Sequence, residues 1–312
     1  MEVYDLCIAW NWAYDADFVS LLEQSCSTRG LTLLQIKPEN LPQMLNMLVG
    51  GEISCRVFFD RASDVDSQFL PLVQWAREDA IFSINPYEQA TRSWDKAEMH
   101  SLLVIEGINV PPTIILPPHI EHPDLPEIEL LELGEQFTIK PAHGSGGVGV
   151  MINATSWEQV KTVRQEHATD HYLLQAHITP VELDNRPAWF RVIYCSGEVF
   201  PCWWNPSSHI YTPVTESEKL CHHLDHLEHK TRAIATLCGL DLFSTEIALT
   251  SEGQFIVVDY VNDQIDLRLQ STTPEGVPDE IVKAVAHRLA SHAEGYTCPE
   301  SLPCASVSKV DR

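Results

Sequence analysis

The sequence has few basic residues for its length. Across 312 residues, 20 Lys and Arg stand against 44 Asp and Glu, which gives a net charge of -24. A protein that binds nucleic acid or an anionic membrane needs a basic surface, so this balance argues against both partners. It favours a soluble protein with a local basic pocket on an acidic background.

Long apolar runs and cysteine motifs are also missing. No run approaches the roughly 20 residues that span a bilayer. The first residues, Met1–Asp5, are acidic and lack the basic segment of a signal peptide. The nine cysteines are odd in number and scattered, without a CxxC pair, which is typical of reduced thiols. We therefore expect a cytoplasmic protein with no membrane partner.

The hydrophobic pattern predicts an α/β (α+β) protein. In the first 90 residues or so, short apolar runs alternate with amphipathic helical ones, and strands separated by such helices indicate a parallel sheet. From Phe137 onward the pattern changes towards strands, interrupted by helices at Ser156–Gln165, Leu224–Cys238 and Asp279–His292. The chain is long enough for two or three packed subdomains.

The segment from Lys140 to Val150 contains four glycines, which let the backbone turn tightly and direct N–H groups at one anion. It matches the GxGxxG pattern, but dinucleotide binding requires a helix straight after the loop, and this loop lies between two strand-like runs. No Gly-Lys-Ser/Thr follows, so it is not a Walker A loop. The pattern indicates a hairpin that covers phosphates, with a glycine-rich hairpin that binds no ligand as the alternative.

Two apolar runs near the end of the chain each contain an acid. Thr245–Leu249 carries Glu246, and Ile256–Asn262 carries Asp259. If the runs pair as a hairpin, the two carboxylates lie side by side, and acids inside apolar strands are costly unless a cation offsets them. Mg²⁺ prefers hard oxygen ligands, so we predict a metal site made of Glu246, Asp259 and Asn262. Surface acids on edge strands are the alternative.

The order of these segments from Asn85 to Asp266 resembles the ATP-grasp superfamily, whose members include D-alanine–D-alanine ligase, glutathione synthetase and ribosomal-protein glutamate ligases. The resemblance implies a Rossmann-like parallel-sheet domain over 1–90, followed by a two-lobed ATP-grasp fold. The small lobe would cover 91–178 with the phosphate loop, the large lobe 179–295 with the metal site, and residues 296–312 would form a flexible tail. It also implies ATP and Mg²⁺ as cofactors, with Mn²⁺ as the alternative ion.

The resemblance assigns nucleotide contacts residue by residue. Two lysines of this type would neutralise phosphate charge as compact cations, the loop amides would hold the phosphates, and the strand near 175 would read the adenine. The acid that follows that strand would bind the ribose hydroxyls. The predicted nucleotide-binding residues are Lys96, Lys140, His143, Gly144, Ser145, Gly146, Gly147, Gln175, Ala176, Ile178 and Glu182.

Two departures from the family pattern affect the catalytic residues. The segment Asp259-Tyr-Val-Asn262 has one residue more than the family's acid-x-Asn. Several ligases carry an arginine two residues before the first acid, where this chain has Ser244. We therefore expect Arg191 to stabilise the reacting group. Arg268 is the second choice, or a binder of a substrate carboxylate.

The function that the resemblance implies is ATP-dependent amide formation. ATP would phosphorylate a carboxylate, and an amine would attack the acyl phosphate. Small-molecule carboxylate and amine substrates are the expected partners, and dimers are common among similar ligases. Two alternatives are a kinase that phosphorylates a hydroxyl and a catalytically silent nucleotide-binding module.

Three further segments allow two interpretations each. His222, His226 and His229 form either a zinc site or a solvated helix turn. The aromatic stretch Trp203–Tyr211 forms either a wall of the acceptor pocket or part of the core. Asp60 and Arg61, past the end of a strand, form either a substrate-binding edge or an internal ion pair.

Overall fold

The computed structural model describes residues 1–144 and 146–296, which form two compact units. One unit contains Met1–Ile84, Leu267–Leu269 and the C-terminal segment from Asp279, and the other contains Asn85–Asp266 and Gln270–Pro278. Ser145 and the predicted tail beyond Tyr296 lie outside the described residues.

The first unit is built on a four-stranded parallel sheet, as the alternation of apolar runs predicts. Its strands have the order β2-β1-β3-β4. Strand β1 is fully buried from Leu6 to Ala9, because helices cover parallel sheets on both faces. The elements are β1 (Glu2–Trp10), α1 (Ala16–Thr28), β2 (Leu33–Ile36), α2 (Leu41–Val49), β3 (Ile53–Arg61), α3 (Leu70–Glu78) and β4 (Phe82–Ile84).

The helix Asp279–Gly295 also belongs to the first unit, where it packs against α1. The division from the sequence grouped this helix with residues 179–278, so the compact units do not follow the sequential division here. Its apolar residues recur at helical spacing and are buried, for example Val282, Val285 and Leu289.

The second unit begins with two helices and a four-stranded antiparallel sheet in the order β5-β8-β6-β7. The Asp95 side chain caps the second helix by accepting from the N–H groups of Ala97 and Glu98. The elements are α4 (Tyr87–Trp94), α5 (Lys96–Ile105), β5 (Thr113–Leu116), β6 (Phe137–Pro141), β7 (Met151–Ala154), α6 (Trp157–Val163) and β8 (Tyr172–Ala176).

A five-stranded antiparallel sheet completes the second unit, in the order β13-β12-β11-β14-β15. One face packs into the main core of the unit through residues such as Phe190, Ile247 and Val257. The elements are β9 (Glu182–Leu183), β10 (Arg186–Pro187), β11 (Trp189–Cys195), β12 (Glu198–Asn205), β13 (Ile210–Pro213), α7 (Glu216–Cys221), α8 (Asp225–Cys238), β14 (Leu242–Leu249) and β15 (Phe255–Asn262), with α9 the helix Asp279–Gly295.

Most of the predicted strands and helices are present. The short helices α4 and α7 and the strands β9, β10 and β13 were not predicted. No disulfide joins the seven cysteines among the described residues to one another. Over the same residues, no helix has both the length and the apolar character needed to cross a membrane.

Candidate active site

The two predicted acids lie opposite each other on neighbouring strands. Glu246 of β14 is in register with Asp259 of β15, in an antiparallel pair that turns at Thr250–Gln254. Directly opposed residues of an antiparallel pair share one face, with Cβ atoms about 5 Å apart. The structure therefore brings the two carboxylates together on the face of the five-stranded sheet that does not pack into the main core.

Two register shifts between β14 and β15, one on each side of the Glu246–Asp259 pair, decide which other side chains lie on the same sheet face as the two acids. Ser244 pairs with Asn262 and Ile247 with Val257, so β15 has one extra residue on each side of Asp259. Ser244 and Glu246 alternate regularly and share a face, so Asn262 lies on the same face as the acids. The additional residue between Asp259 and Asn262 is thus absorbed by a bulge and does not turn the amide away.

Arg191 extends the charged row onto β11, where it is in register with Glu246. Its Nη1 lies 3.1 Å from Glu246 Oε1, and its Nε donates to Ser244 Oγ at 3.2 Å. Trp189 Nε1 donates to the other Glu246 oxygen at 3.1 Å. Burial raises the pKa of Glu246, and the nearby Asp259 raises it further, whereas Arg191 opposes the shift.

Aromatic rings hold Arg191 from the other side. The guanidinium lies 5.0 Å from the centroid of the Trp204 ring, and the His209 ring stacks on Trp204 with a centroid distance of 5.6 Å. Tyr211 packs on Trp204 at 4.5 Å, whereas Trp203 points into the core against Phe190. The aromatic stretch is thus divided: Trp203 is core, and Trp204 supports a charged residue of the site.

The two predicted phosphate-binding lysines lie near the glycine loop. Lys96, the first residue of α5, donates from Nζ to the carbonyl oxygen of Gly144 at 2.6 Å. Lys140 is buried in β6, where its Nζ lies 3.4 Å from the Val258 carbonyl oxygen. Burial lowers the pKa of Lys140, Asp259 and Glu246 raise it, and Lys96 lowers it. The contact with Val258 places Lys140 beside the strand that carries Asp259.

The glycine loop connects β6 and β7 as a hairpin. Gly144, Gly146, Gly147 and Gly149 all have positive φ, which explains the glycines at these positions. A Cβ on Gly149 would meet His167 Nε2 at 2.7 Å. The predicted loop residue His143 is held by Asp170, whose carboxylate contacts the His143 ring at 2.9 Å and its backbone N–H at 2.8 Å.

A buried hydrogen-bond network lies on the opposite face of β15. Tyr260 Oη lies 2.7 Å from His100 Nδ1 and accepts from Gln175 Nε2 at 2.8 Å. Nζ of Lys140 lies 5.3 Å from the centroid of the Tyr260 ring. Burial lowers the pKa of His100, with Lys140 adding to the effect, so the neutral ring is favoured. Tyr260 therefore connects α5, β6 and β8 to the strand that carries Asp259.

Of the residues predicted to contact adenine and ribose, two form hydrogen bonds within the protein and two are at least partly exposed. The amide nitrogen of Gln175 is used within the network, and the N–H of Ala176 donates to the Pro112 carbonyl oxygen at 2.9 Å. Ile178 follows the end of β8 and is partly exposed. Glu182 is exposed in β9. Their roles in nucleotide binding stay predictions.

Two other predicted groups lie outside this arrangement. Arg268 belongs to the first unit, near the rings of Trp12 and Tyr14. The zinc interpretation of the histidines is not supported: within 1–144 and 146–296, no three His, Cys, Asp or Glu residues are grouped to hold a metal ion. Helix α8 begins only at Asp225, so His222 lies before it and contacts Asp184 instead.

The supporting residues Tyr260, His100 and Trp189 were missed in the sequence. Each stands at a simple spacing from a predicted site residue: Tyr260 follows Asp259, His100 is four residues after Lys96 in α5, and Trp189 is two residues before Arg191 in β11. The spacings of His100 and Trp189 place each side chain beside its neighbour on one face of a helix or strand, and they were the available signal. Tyr260 lies on the face opposite Asp259, so its position gave no such signal.

The oxygen ligands on the sheet face that carries Glu246, Asp259 and Asn262 fit a divalent cation with bound phosphates. Two opposed carboxylates and an amide offer the hard oxygen ligands that Mg²⁺ prefers, and few protein ligands leave room for phosphate oxygens. Two carboxylates this close repel each other, and a cation between them would relieve the repulsion. Lys140 and Arg191 supply positive charge beside them, and Lys96 supplies it at the glycine loop.

Residues 76–184 match the family model described as "Sugar-transfer associated ATP-grasp". No curated protein matches the chain. Solved structures match along nearly the whole chain: the ATP-grasp ligase PsnB with minimal precursor, Mg and ADP has a TM-score of 0.62 at 12% identity, covering 94% of this chain and 98% of that one.

Two further structures are similar. The D-cycloserine synthetase DcsG has a TM-score of 0.56 at 14% identity and covers 93% of this chain and 99% of that one. The macrocyclase MdnB from Microcystis aeruginosa MRC has a TM-score of 0.59 at 13% identity and covers 94% and 99%. The similar structures confirm the predicted fold, and the family model agrees with the predicted resemblance over residues 76–184.

Proposed function

We propose that this chain, which has the ATP-grasp fold, is an ATP-dependent ligase that joins a carboxylate to an amine through an acyl phosphate. The observation that carries the proposal is the pairing of Glu246 with Asp259 on one sheet face, beside the buried Lys140. Buried acids and a buried lysine in one place suit a polyphosphate with its metal ion better than they suit a structural core.

The lysines and the glycine loop would bind the triphosphate. Lys140 is fixed by its position above the Tyr260 ring, so its charge is held in place before any ligand binds. Lys96 now contacts the Gly144 carbonyl oxygen, and the glycines allow the hairpin to move. Closure of the hairpin would exclude water from a reactive acyl phosphate.

Glu246, Asp259 and Asn262 would hold Mg²⁺. When bound, the ion supplies positive charge that balances the oxygens of the transferred phosphoryl group. Trp189 and Arg191 each hydrogen-bond one Glu246 oxygen, which fixes the orientation of this carboxylate.

Arg191 would stabilise negative charge on the reacting carboxylate. Its guanidinium is largely buried and is held by Glu246, Ser244 and the Trp204 ring, so little reorganisation is needed when charge develops. The absence of an arginine at position 244 is consistent with this role, because Arg191 lies against Ser244.

The similar structures support ligase chemistry on this fold, since PsnB is described as an ATP-grasp ligase and DcsG as a synthetase. They do not indicate the two substrates here, because their identity to this chain is low. Because the matched family is described as associated with sugar transfer, sugar-derived carboxylates and amines belong in the first screen.

The test is an ADP-release assay with pools of carboxylates and amines, followed by mass spectrometry of the products. We expect release to require both substrates and Mg²⁺ and to fall at least 100-fold in Asp259→Asn, whose side chain keeps the size but loses the charge. With an ¹⁸O-labelled carboxylate, the acyl-phosphate route transfers one label to the released phosphate.

Other outcomes would count against the proposal. A phosphorylated hydroxyl product without amide would identify a kinase. Full activity in Asp259→Asn would remove the acidic pair from the mechanism. Glu252→Gln in the nearby turn is the matched control, because it neutralises an exposed acid away from the sheet face and should leave activity unchanged.

A further inference from the structure

The histidine at the start of the glycine loop is held by a carboxylate from another part of the second unit. Asp170, in the turn before β8, uses one oxygen to accept the His143 backbone N–H at 2.8 Å, and its other oxygen lies 2.9 Å from ring Nδ1. The Asp170 side chain is 13% exposed, whereas that of His143 is 57% exposed. An ionised carboxylate only accepts hydrogen bonds, so Nδ1 carries a proton in this contact. Asp170 therefore fixes the ring and leaves Nε2 for a second partner.

The second ring nitrogen faces the start of helix α5. His143 Nε2 lies 4.0 Å from Asp95 Oδ2, too far for a hydrogen bond, and the other Asp95 oxygen caps the helix. The next residue, Lys96, reaches from the same helix to the Gly144 carbonyl oxygen at 2.6 Å. The ring of His143 is therefore close to one of the two lysines that are proposed to bind the triphosphate.

The backbone on the N-terminal side of this histidine is attached to both neighbouring segments. The N–H of Lys96 donates to the Ala142 carbonyl oxygen at 3.0 Å, and the Ala142 N–H donates to the His171 carbonyl oxygen at 2.8 Å. The glycines with positive φ, which allow the hairpin to move, begin only at Gly144. His143 thus belongs to the fixed base of the hairpin, and its ring is positioned before the hairpin closes.

The protonation state of this ring decides what it can do for a phosphate. A neutral ring with its proton on Nδ1 offers only a lone pair at Nε2, which repels a phosphate oxygen, whereas a protonated ring donates a hydrogen bond there. Histidine changes its charge between about pH 5 and 8. The charged side chains next to the ring are Asp170 from the turn and Asp95 and Lys96 from α5. A bound triphosphate would add several negative charges, which favour the protonated ring.

We propose that ATP binding to this chain is coupled to protonation of His143, with Asp170 as the positioning residue for the ring. The protonated ring donates from Nε2 to a phosphate oxygen, and the Nδ1–H stays with Asp170. One proton passes from solvent to Nε2 when the nucleotide binds, and no other bond changes. The inference rests on the nucleotide site of the proposed function, but it concerns binding alone and not the ligase reaction.

The test is calorimetric titration of the full chain with ATP and Mg²⁺, without carboxylate or amine, in buffers that differ in ionisation enthalpy. The slope of the observed enthalpy against the buffer enthalpy gives the protons taken up per bound nucleotide. At about pH 7.5, where an ordinary histidine is mostly neutral, we expect about 0.5–1 more protons in the wild type than in His143→Gln. The difference between the two proteins cancels the protons that the nucleotide itself exchanges.

Three further variants separate charge from positioning. His143→Lys carries a permanent charge, so it should bind ATP more tightly than His143→Gln does, with the same low proton uptake. Asp170→Asn keeps an acceptor for the backbone N–H but loses the charge that orients the ring. It should lower the proton uptake and weaken ATP binding by about tenfold. The matched control is His171→Gln, the same change at an exposed histidine of the same turn, which should leave both quantities as in the wild type.

The outcomes separate this inference from the proposed function. ATP binding with equal proton uptake in the wild type and His143→Gln would overturn the coupling and leave the ligase proposal unchanged. Wild-type proton uptake in Asp170→Asn would overturn the positioning role of this acid. Absence of ATP binding to the wild type would overturn the nucleotide site itself and both proposals with it. Thermal unfolding verifies the fold of each variant, and His143→Lys supplies the comparison if His143→Gln is destabilised.

Discussion

The hydroxyl oxygen of Tyr260 lies 2.7 Å from Nδ1 of His100 inside the second unit. The same hydroxyl accepts from Gln175, which leaves its own proton available to a neutral His100 ring. Tyr260 neighbours Asp259 in the chain but faces the core, and it therefore couples the metal-site strand to helix α5 and strand β8.

Tyr260→Phe should weaken nucleotide binding more than it slows chemistry. The change keeps the ring below Lys140 but leaves two buried polar groups without their partner, which costs about 1–3 kcal/mol of unfolding free energy. We expect the KM for ATP to rise several-fold with kcat within about twofold. Tyr260→Leu also removes the ring and should raise the KM further. Equal KM values for the two variants would contradict a role of the ring in holding Lys140.

Asn262→Leu should raise the Mg²⁺ concentration needed for half-maximal activity, because the bulge places this amide on the face of the acidic pair. We expect a shift of roughly tenfold, the size of effect seen when one supporting contact of a metal site is lost. Asn262→Asp keeps an oxygen ligand and should retain Mg²⁺ dependence close to that of the wild type. If both variants titrate with Mg²⁺ like the wild type, Asn262 does not contribute to the site.

Gly149→Ala should impair the phosphate loop more than Gly146→Ala does. Both residues have positive φ, where alanine costs about 1–2 kcal/mol, but only a Cβ at Gly149 meets the His167 ring. We expect a higher KM for ATP in both variants and a larger increase for Gly149→Ala. Adding His167→Ala should remove the excess, which a double-mutant cycle would measure. An additive cycle would indicate that the contact with His167 is unimportant.

Glu218 should make stability depend on pH between about 4.5 and 2. Burial alone would raise its pKa, but the N–H and hydroxyl of Thr215 and the guanidinium of Arg186 outweigh burial and lower the pKa to about 2. A carboxyl whose folded pKa is depressed stabilises the folded state above its unfolded pKa. That contribution is lost as the pH falls through the folded pKa.

Glu218→Gln should therefore reduce the free energy of unfolding by about 1–2 kcal/mol at pH 7, the size of a lost capping interaction and ion pair. The difference from the wild type should shrink as the pH falls from 4.5 towards 2, as measured by urea unfolding. The exposed Glu216 in the same helix provides the control, and Glu216→Gln should show almost no difference at any pH.

The sequence by itself determined the layout of the elements and the types of residue at the site. The parallel sheet, the glycine hairpin and the two acid-bearing strands follow from local periodicity and from backbone needs of glycine, which act within a few residues. Glu246 and Asp259 could be selected because acids in apolar runs are costly and need a reason, whereas Lys96 and Lys140 followed from the resemblance to the ATP-grasp superfamily.

Only the tertiary structure decided which side chains share a face. Residues 256–261 are apolar except for Asp259, so no alternation reveals the two bulges that separate Asp259 from Val257 and return Asn262 to the acids. Likewise, Arg268 joins Trp12 and Tyr14 across some 250 residues of chain. Register and long-range packing depend on the energy of the whole sheet and core, which no local pattern contains.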